Sequence, residues 1–542
     1  MSVSLMPKAA LQLSPAAWIT IPMLFAFFAL MIGVGIACRK HAVDVEGFVL
    51  GGRSVGPWLT AFAFGTSYFS AVIFVGYAGQ FGWNFGLAST WIGLGNAFIG
   101  SLLAWAVLGR RTRVMTQHLG SKTMPDFFDK RYDSKTLKIA ASVIVFVFLI
   151  PYTASLYNGL SSLFNNVFSV PYWLVVAVMA VLTGVYVIFG GYMATAVNDF
   201  IQGIIMLVGI VAVVASVLMD NGGFHHAVEA LNVSDHAGHV YTSLFGPDPL
   251  SLLFVVLLTS LGTWGLPQMV GKFYSIKDEG SIKKGTVIST IFAIVVAGGC
   301  YFLGGFGRLY RDELAAAGYL SENGAVRFDS IVPTMLKDLA PVIVALIIVL
   351  VLAASMSTLS SLVLTSSSTL TLDVVKPAAE KKVPMSEKHS VLVMRLFIVF
   401  FIAVSAAIAI LKDSLWADSA FIAQMMGVSW GALAGAFLAP FLYGLYWKKT
   451  TKAAVAVSFV FGVGLELLQL AIGVGWLSVK GIPALEFVFT NSLYSGVFAM
   501  VGGLVLVPIV SLLTQKTLPA ATEDKFACYA KTVITNQKVS LG

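Results

Sequence analysis

The sequence predicts an all-α integral membrane protein of about thirteen transmembrane helices, ten of them forming two five-helix repeats of opposite orientation. Three observations predict it: the composition, the number of long apolar runs, and two interrupted runs that lie five spans apart. Of the 542 residues, 58% are hydrophobic and only 11% are charged, with mean hydropathy +0.88. A soluble domain carries about 25% charged residues. The net charge of +8 does not point to nucleic acid, because the basic residues fall in short segments between apolar runs. Cys38, Cys300 and Cys528 are too few and too scattered for a disulfide framework or a metal cluster. No GxxxxGK[ST] loop and no HExxH motif occurs, which disfavours an ATP-driven pump or an enzyme. The first 16 residues lack the pattern of a cleaved signal peptide, so the first span is expected to be its own membrane signal.

A spanning helix needs about 20 mostly apolar residues. Runs that qualify are 17–38, 57–78, 83–108, 137–161, 171–189, 198–219, 249–271, 285–308, 340–372, 391–411, 418–446, 451–474 and 489–514. An odd number puts the termini on opposite sides. With the amino terminus outside, 27 of the 34 Lys and Arg fall in inside segments and 7 outside. That bias orients the chain in a cell (inner) membrane, amino terminus out and carboxyl terminus cytoplasmic. The outside segments 220–248 and 309–339 are long enough for short lid helices. Inside, Met124 to Tyr132 reads as an interfacial helix with aromatic anchors. The tail from 516 to 542 reads as polar and loose.

The second span breaks its own pattern at Gly65-Thr66-Ser67-Tyr68-Phe69-Ser70. Unwinding there would expose backbone carbonyls at mid-membrane, which is tolerated where they line a cavity or hold an ion. The seventh span repeats the theme in Gly262-Thr263-Trp264-Gly265-Leu266-Pro267-Gln268, where Pro267 removes a backbone donor. Paired breaks in two halves point to a transporter's binding site. Spans 2–6 and 7–11 then form repeats over 48–225 and 226–447, the LeuT-type 5+5 arrangement. Peripheral segments are 1–47, 448–515 and the tail 516–542.

The ninth span ends in Ala354-Ser355-Met356-Ser357-Thr358-Leu359-Ser360-Ser361. On a helix, positions 354, 357, 358 and 361 share a face. That face offers neutral oxygens suited to a weakly held monovalent cation. It equally suits close helix packing, with hydroxyls bonded back to their own helix. Asp199 opens the sixth span near the inner surface, as a helix N-cap or as a lure for cations. Glu466 lies within the twelfth span, where an acid is a functional candidate. It falls outside the ten-helix core, and no role is assigned to it.

Gly51-Gly52-Arg53-Ser54-Val55-Gly56-Pro57, Phe189-Gly190-Gly191 with Asn198-Asp199-Phe200-Ile201-Gln202, the run Ala354 to Ser361, Trp430-Gly431-Ala432 and Tyr446-Trp447 follow one another in a familiar order. This ordered set resembles the sodium:solute symporters, whose members carry proline, pantothenate, sugars, sialic acid and monocarboxylates. The resemblance runs from about Phe48 to Trp447. It implies sodium as the coupling ion, held by the backbone oxygens of Thr66, Phe69 and Ala354 with Ser357 and Thr358. It also implies, as in some relatives, a second sodium on Asp199, Ser360 and Ser361. Proline transporters of the family have an Asp where this chain has Tyr68, which weakens a proline assignment. Ala71-Val72-Ile73-Phe74-Val75 lacks the polar groups a sugar needs. A small organic solute, whether monocarboxylate, pantothenate-like acid or amino acid, fits better. Its carboxylate could meet a half-helix amino end. Pocket candidates are Tyr68, Phe69, Ile73, Trp91, Asn96, Thr263, Trp264, Gln268 and Gln424. The resulting expectation is sodium-coupled symport, with proton coupling in the same fold, proline symport or a transporter-like sensor as alternatives. The expected partners are the solute, sodium and the lipid bilayer, with no nucleic acid and no obligate protein partner.

Overall fold

The computed structural model describes residues 15–168, 171–233, 239–321, 324–381, 384–415, 420–489, 491–519 and 521–530; the side chain of Gln424 lies outside the described residues. Ten described helices are long and apolar enough to cross a bilayer, or eleven when one bent pair is taken as a single crossing. The expected thirteen are not reached on that measure, for a physical reason. Two of the ten, Val72–His118 and Tyr172–Asp220, run to 47 and 49 residues. At about 1.5 Å per residue each would extend roughly 70 Å, over twice the hydrocarbon core of about 30 Å. Each contains a glycine with positive φ, Gly86 at 60° and Gly191 at 54°. At Gly191 a Cβ would also meet the Phe48 carbonyl oxygen at 2.8 Å, so only glycine makes this turn. Apolar character continues through both turns, and length with hydropathy alone counts each stretch once.

The helices that matter for the site are α1 (Pro15–Cys38), α2 (Pro57–Tyr68), α3 (Tyr172–Asp220), α4 (Pro249–Leu261), α5 (Pro267–Tyr274), α6 (Pro341–Thr369), α7 (Ala420–Tyr446) and α8 (Lys452–Gly473). Pro57 starts α2, where its missing N–H costs nothing. The helix stops at Phe69 (φ −80°, ψ 118°) and resumes with wide turns over Val72–Tyr77. Pro267 starts α5 in the same way, after Leu266 (φ −82°, ψ 120°), and the chain bends by 47°. The two breaks share one backbone geometry. Helix α6 runs through the centre, packed on α1, α2 and α3, and is buried from Ile347 to Leu364.

Other helices approach backbone to backbone. A Cβ on Gly82 would sit 1.9 Å from the Gly304 carbonyl oxygen. Gly82→Leu is therefore expected to force these helices apart, at or above the usual overpacking cost of about 1–3 kcal/mol. The check is size-exclusion of the purified variant, with loss of the monodisperse peak expected.

Two sequence expectations for segments read as inside are corrected. The Met124–Tyr132 helix forms, capped by Thr123, but Phe127, Phe128, Arg131 and Tyr132 are fully buried beneath the bundle. Arg131 Nε donates to Gly444 O at 2.9 Å and the Tyr132 hydroxyl to Pro440 O at 2.7 Å. The aromatics anchor to protein, not to lipid. The tail is not loose over 521–530. There Lys525 Nζ reaches Asp133 Oδ1 at 2.7 Å and Arg131 O at 3.2 Å, and the Tyr529 hydroxyl donates to Arg111 O at 3.1 Å. On the other side the expected short helices occur at Phe224–Val233, Arg311–Ala316 and Ile331–Leu336.

Candidate functional site

Five oxygens converge where α6 crosses the break after α2. Ser357 Oγ lies 3.2 Å from Thr66 O and 3.1 Å from Ala354 O. Thr358 Oγ1 lies 3.2 Å from Thr66 O, 3.3 Å from Phe69 O and 3.2 Å from Ala354 O. The i, i+3, i+4 spacing puts Ala354, Ser357 and Thr358 on one face, and the extended Phe69 turns its carbonyl out of the helix ladder. All five residues are buried. The Thr66 hydroxyl is spent on Phe62 O at 2.8 Å, so Thr66 contributes its carbonyl. Every donor in the set is neutral. A hydroxyl can rotate its proton away and present a lone pair, so the same oxygens fit a small hard monovalent cation.

One turn further along α6 the arrangement departs from expectation. Asp199 does not open a helix at the inner surface. It lies within α3, about two turns past Gly191, and is fully buried. Facing it is Lys272 of α5, counted above with the loop basics yet only 3% exposed. The Lys272 ammonium is 3.6 Å from Asp199 Oδ2, donates to Ser361 Oγ at 3.0 Å, and sits 5.3 Å from the centre of the Tyr192 ring. Ser361 Oγ also lies 2.8 Å from Ser67 Oγ. The Ser360 hydroxyl turns back to Ser357 O at 2.9 Å. Asp199 and Ser361 therefore meet through Lys272, and the Ser360 hydroxyl is engaged along its own helix. A cavity of about 50 Å³ opens beside this group, with Lys272, Ser361, Gln268, Thr365 and Leu364 among its lining residues.

The pocket candidates divide. Tyr68, Phe69, Asn96 and Thr263 line one cavity of about 20 Å³ against the break. That volume holds about one water and no organic solute, so this state is closed around it. Ile73 is buried, and its carbonyl accepts from Cys300 Sγ at 3.9 Å. Gln268 lines the Lys272 cavity instead. The Trp264 indole is committed to Ile99 O at 3.0 Å. Trp91 is 39% exposed and bonds Leu244 O at 2.8 Å, on the periphery.

Sequence reasoning missed the neighbours of Tyr68. Its ring is 5.7 Å from Trp430, which is 6.0 Å from Tyr152. The hydroxyls of Tyr68, Tyr152 and Tyr301 and the Trp430 indole N–H are buried without a partner at hydrogen-bond distance among the described residues. Aromatics inside a span read as ordinary core, so only Trp430 carried a signal, as part of Trp430-Gly431-Ala432. Glu466 of α8 is fully buried against α7, where a Cβ on Gly431 would meet its Oε1 at 2.3 Å.

Known proteins share this architecture. Sodium/proline symporters of Staphylococcus aureus strains JH9 and COL are 29% identical over 520 residues, covering 94% of this chain and 96% of theirs. A structure of a Na+-coupled sialic acid symporter, in a substrate-bound outward-open state, superposes with a TM-score of 0.71 at 15% identity, over 91% of this chain and 98% of that one. This likeness shows the fold, which is LeuT-type. Residues 48–462 match the pattern of the Sodium:solute symporter family, and the chain belongs to that family.

Proposed function

We propose that this protein couples the downhill entry of sodium to the uptake of a small organic acid or amino acid by alternating access. The observation that carries the reading is the set of five buried neutral oxygens from Thr66, Phe69, Ala354, Ser357 and Thr358. Sodium held there ties the broken α2 segment to α6. It favours the arrangement in which the two touch, because it binds that arrangement better. The solute lies on the other side of the break, where Tyr68, Asn96 and Thr263 supply polar atoms and Trp430 and Tyr152 supply aromatic walls. Repeats 48–225 and 226–447 move against each other around this point, in a cell membrane with the amino terminus outside.

The relatives named as sodium/proline symporters make proline the first solute to try. Tyr68, in place of the Asp of proline transporters, favours a short monocarboxylate or pantothenate instead. Uptake of labelled proline, lactate and pantothenate into proteoliposomes is expected for one of them under an inward sodium gradient, and not under potassium. Equal uptake in both salts, steepening at low pH, would replace sodium by proton coupling.

A further inference from the structure

The residues expected to hold a second sodium do not fit one, and the misfit has a definite cause. Asp199 would supply the only charge of that site, and the Lys272 ammonium already stands 3.6 Å from it. Ser361 would supply a hydroxyl, and its oxygen accepts a hydrogen bond from the same ammonium at 3.0 Å. Ser360 would supply another; its hydroxyl donates to Ser357 O at 2.9 Å, as Ser357 does to Ala354 O, so the misfit lies with Asp199 and Ser361 alone. Any ion touching Asp199 and Ser361 would lie within a few ångströms of a buried positive charge, where repulsion is strong. Lys272 is no stray surface lysine. Its side chain is 4% exposed, the Asp199 side chain 0%, and the Tyr192 ring flanks the ammonium. Removing two charges from water is offset only when they pair; the ammonium 3.6 Å away is the charge that faces Asp199, whose two oxygens have no hydrogen-bond partner among the described residues.

We infer that Lys272 is a tethered cation standing in the place of a second sodium, so that this chain binds one sodium ion and not two. The inference rests on the symport reading above and sets its stoichiometry. When the ammonium is removed, Asp199, Ser361 and Ser67 are left as an unfilled cage of oxygens, and a sodium ion can take its place.

The test is equilibrium binding of radioactive sodium alone to the purified full-length protein, counted per chain at saturation. One ion is expected in the wild type and in Lys272→Arg, two in Lys272→Gln, and one in the double variant Lys272→Gln/Asp199→Asn. Two ions in the wild type, falling to one in Asp199→Asn, would overturn the inference while leaving symport intact. One ion in folded Lys272→Gln would also overturn it, since the lysine would then exclude nothing. No saturable sodium in the wild type defeats the symport reading itself, a result distinct from either. If Lys272→Gln does not fold, the same count on Lys272→Met decides, with two ions expected and one ion overturning the inference.

Discussion

Thr358→Ala is expected to weaken sodium binding about 10- to 100-fold and to remove sodium-driven uptake at ordinary sodium concentrations. The Thr358 hydroxyl is the member of the oxygen set that reaches both sides of the helix break, touching Thr66 O, Phe69 O and Ala354 O. Without it the cation loses one neutral ligand, and the carbonyls of Thr66 and Phe69 lose the donor that holds them in register when the ion leaves. A hydrogen-bonding contact to a charge contributes about 1.5–3 kcal/mol, and each 1.4 kcal/mol or so is tenfold in affinity. Thr358→Ser keeps the oxygen and is expected to keep most of the binding. Ser357→Ala is expected to cost less, because Ser357 touches Thr66 O but not Phe69 O. The measurement is the sodium concentration giving half-maximal uptake in each variant. An unchanged value in Thr358→Ala would return the hydroxyl face to a packing role.

Lys272→Gln in sodium-free medium is expected to lower the thermal midpoint sharply, by the equivalent of about 3–5 kcal/mol, the usual cost of leaving a buried partner uncompensated. Asp199→Asn should destabilise for the mirror-image reason. The double variant removes both charges and is expected to recover most of the loss, so the cycle returns a large coupling between positions 199 and 272. Sodium should raise the midpoint of Lys272→Gln more than that of the wild type, since an ion bound only by the folded state stabilises it by mass action. Additive single and double effects would mean that the two charges do not sense each other.

How much of this was legible depended on whether a residue's type was unusual for its surroundings. Hydroxyls at 357, 358, 360 and 361 directly after the apolar run 342–354 are conspicuous, and helical spacing put Ala354, Ser357 and Thr358 on one face, where the structure has their oxygens beside Thr66 O. The break after Tyr68 was visible as weak helix formers between apolar halves, and Pro267 marked its counterpart. Lys272 was not legible, because a lysine five residues past a proline at the end of a span is what a loop also contains. After the bend at Leu266, α5 packs on α2 and α6, and from there the Lys272 side chain reaches Asp199. Gly190-Gly191 was noticed, but the sharp turn at Gly191 draws on its contact with Phe48, far away in sequence. The burial of Phe127 and Phe128 under α7 is likewise a tertiary fact. Their pattern is equally that of a lipid-facing anchor.

A charge fixed to the protein does not travel with its cargo, and this limits how steep a solute gradient the protein can build. One sodium ion entering a cell at −100 mV releases about 2.3 kcal/mol, and a tenfold sodium gradient adds roughly 1.4 kcal/mol. For a zwitterion this supports accumulation of several hundred-fold. For a monoanion the solute's own charge cancels the voltage contribution, and only about tenfold remains. A second travelling sodium would square the first figure. With one travelling sodium, as inferred from Lys272, the limit stays at the first figure.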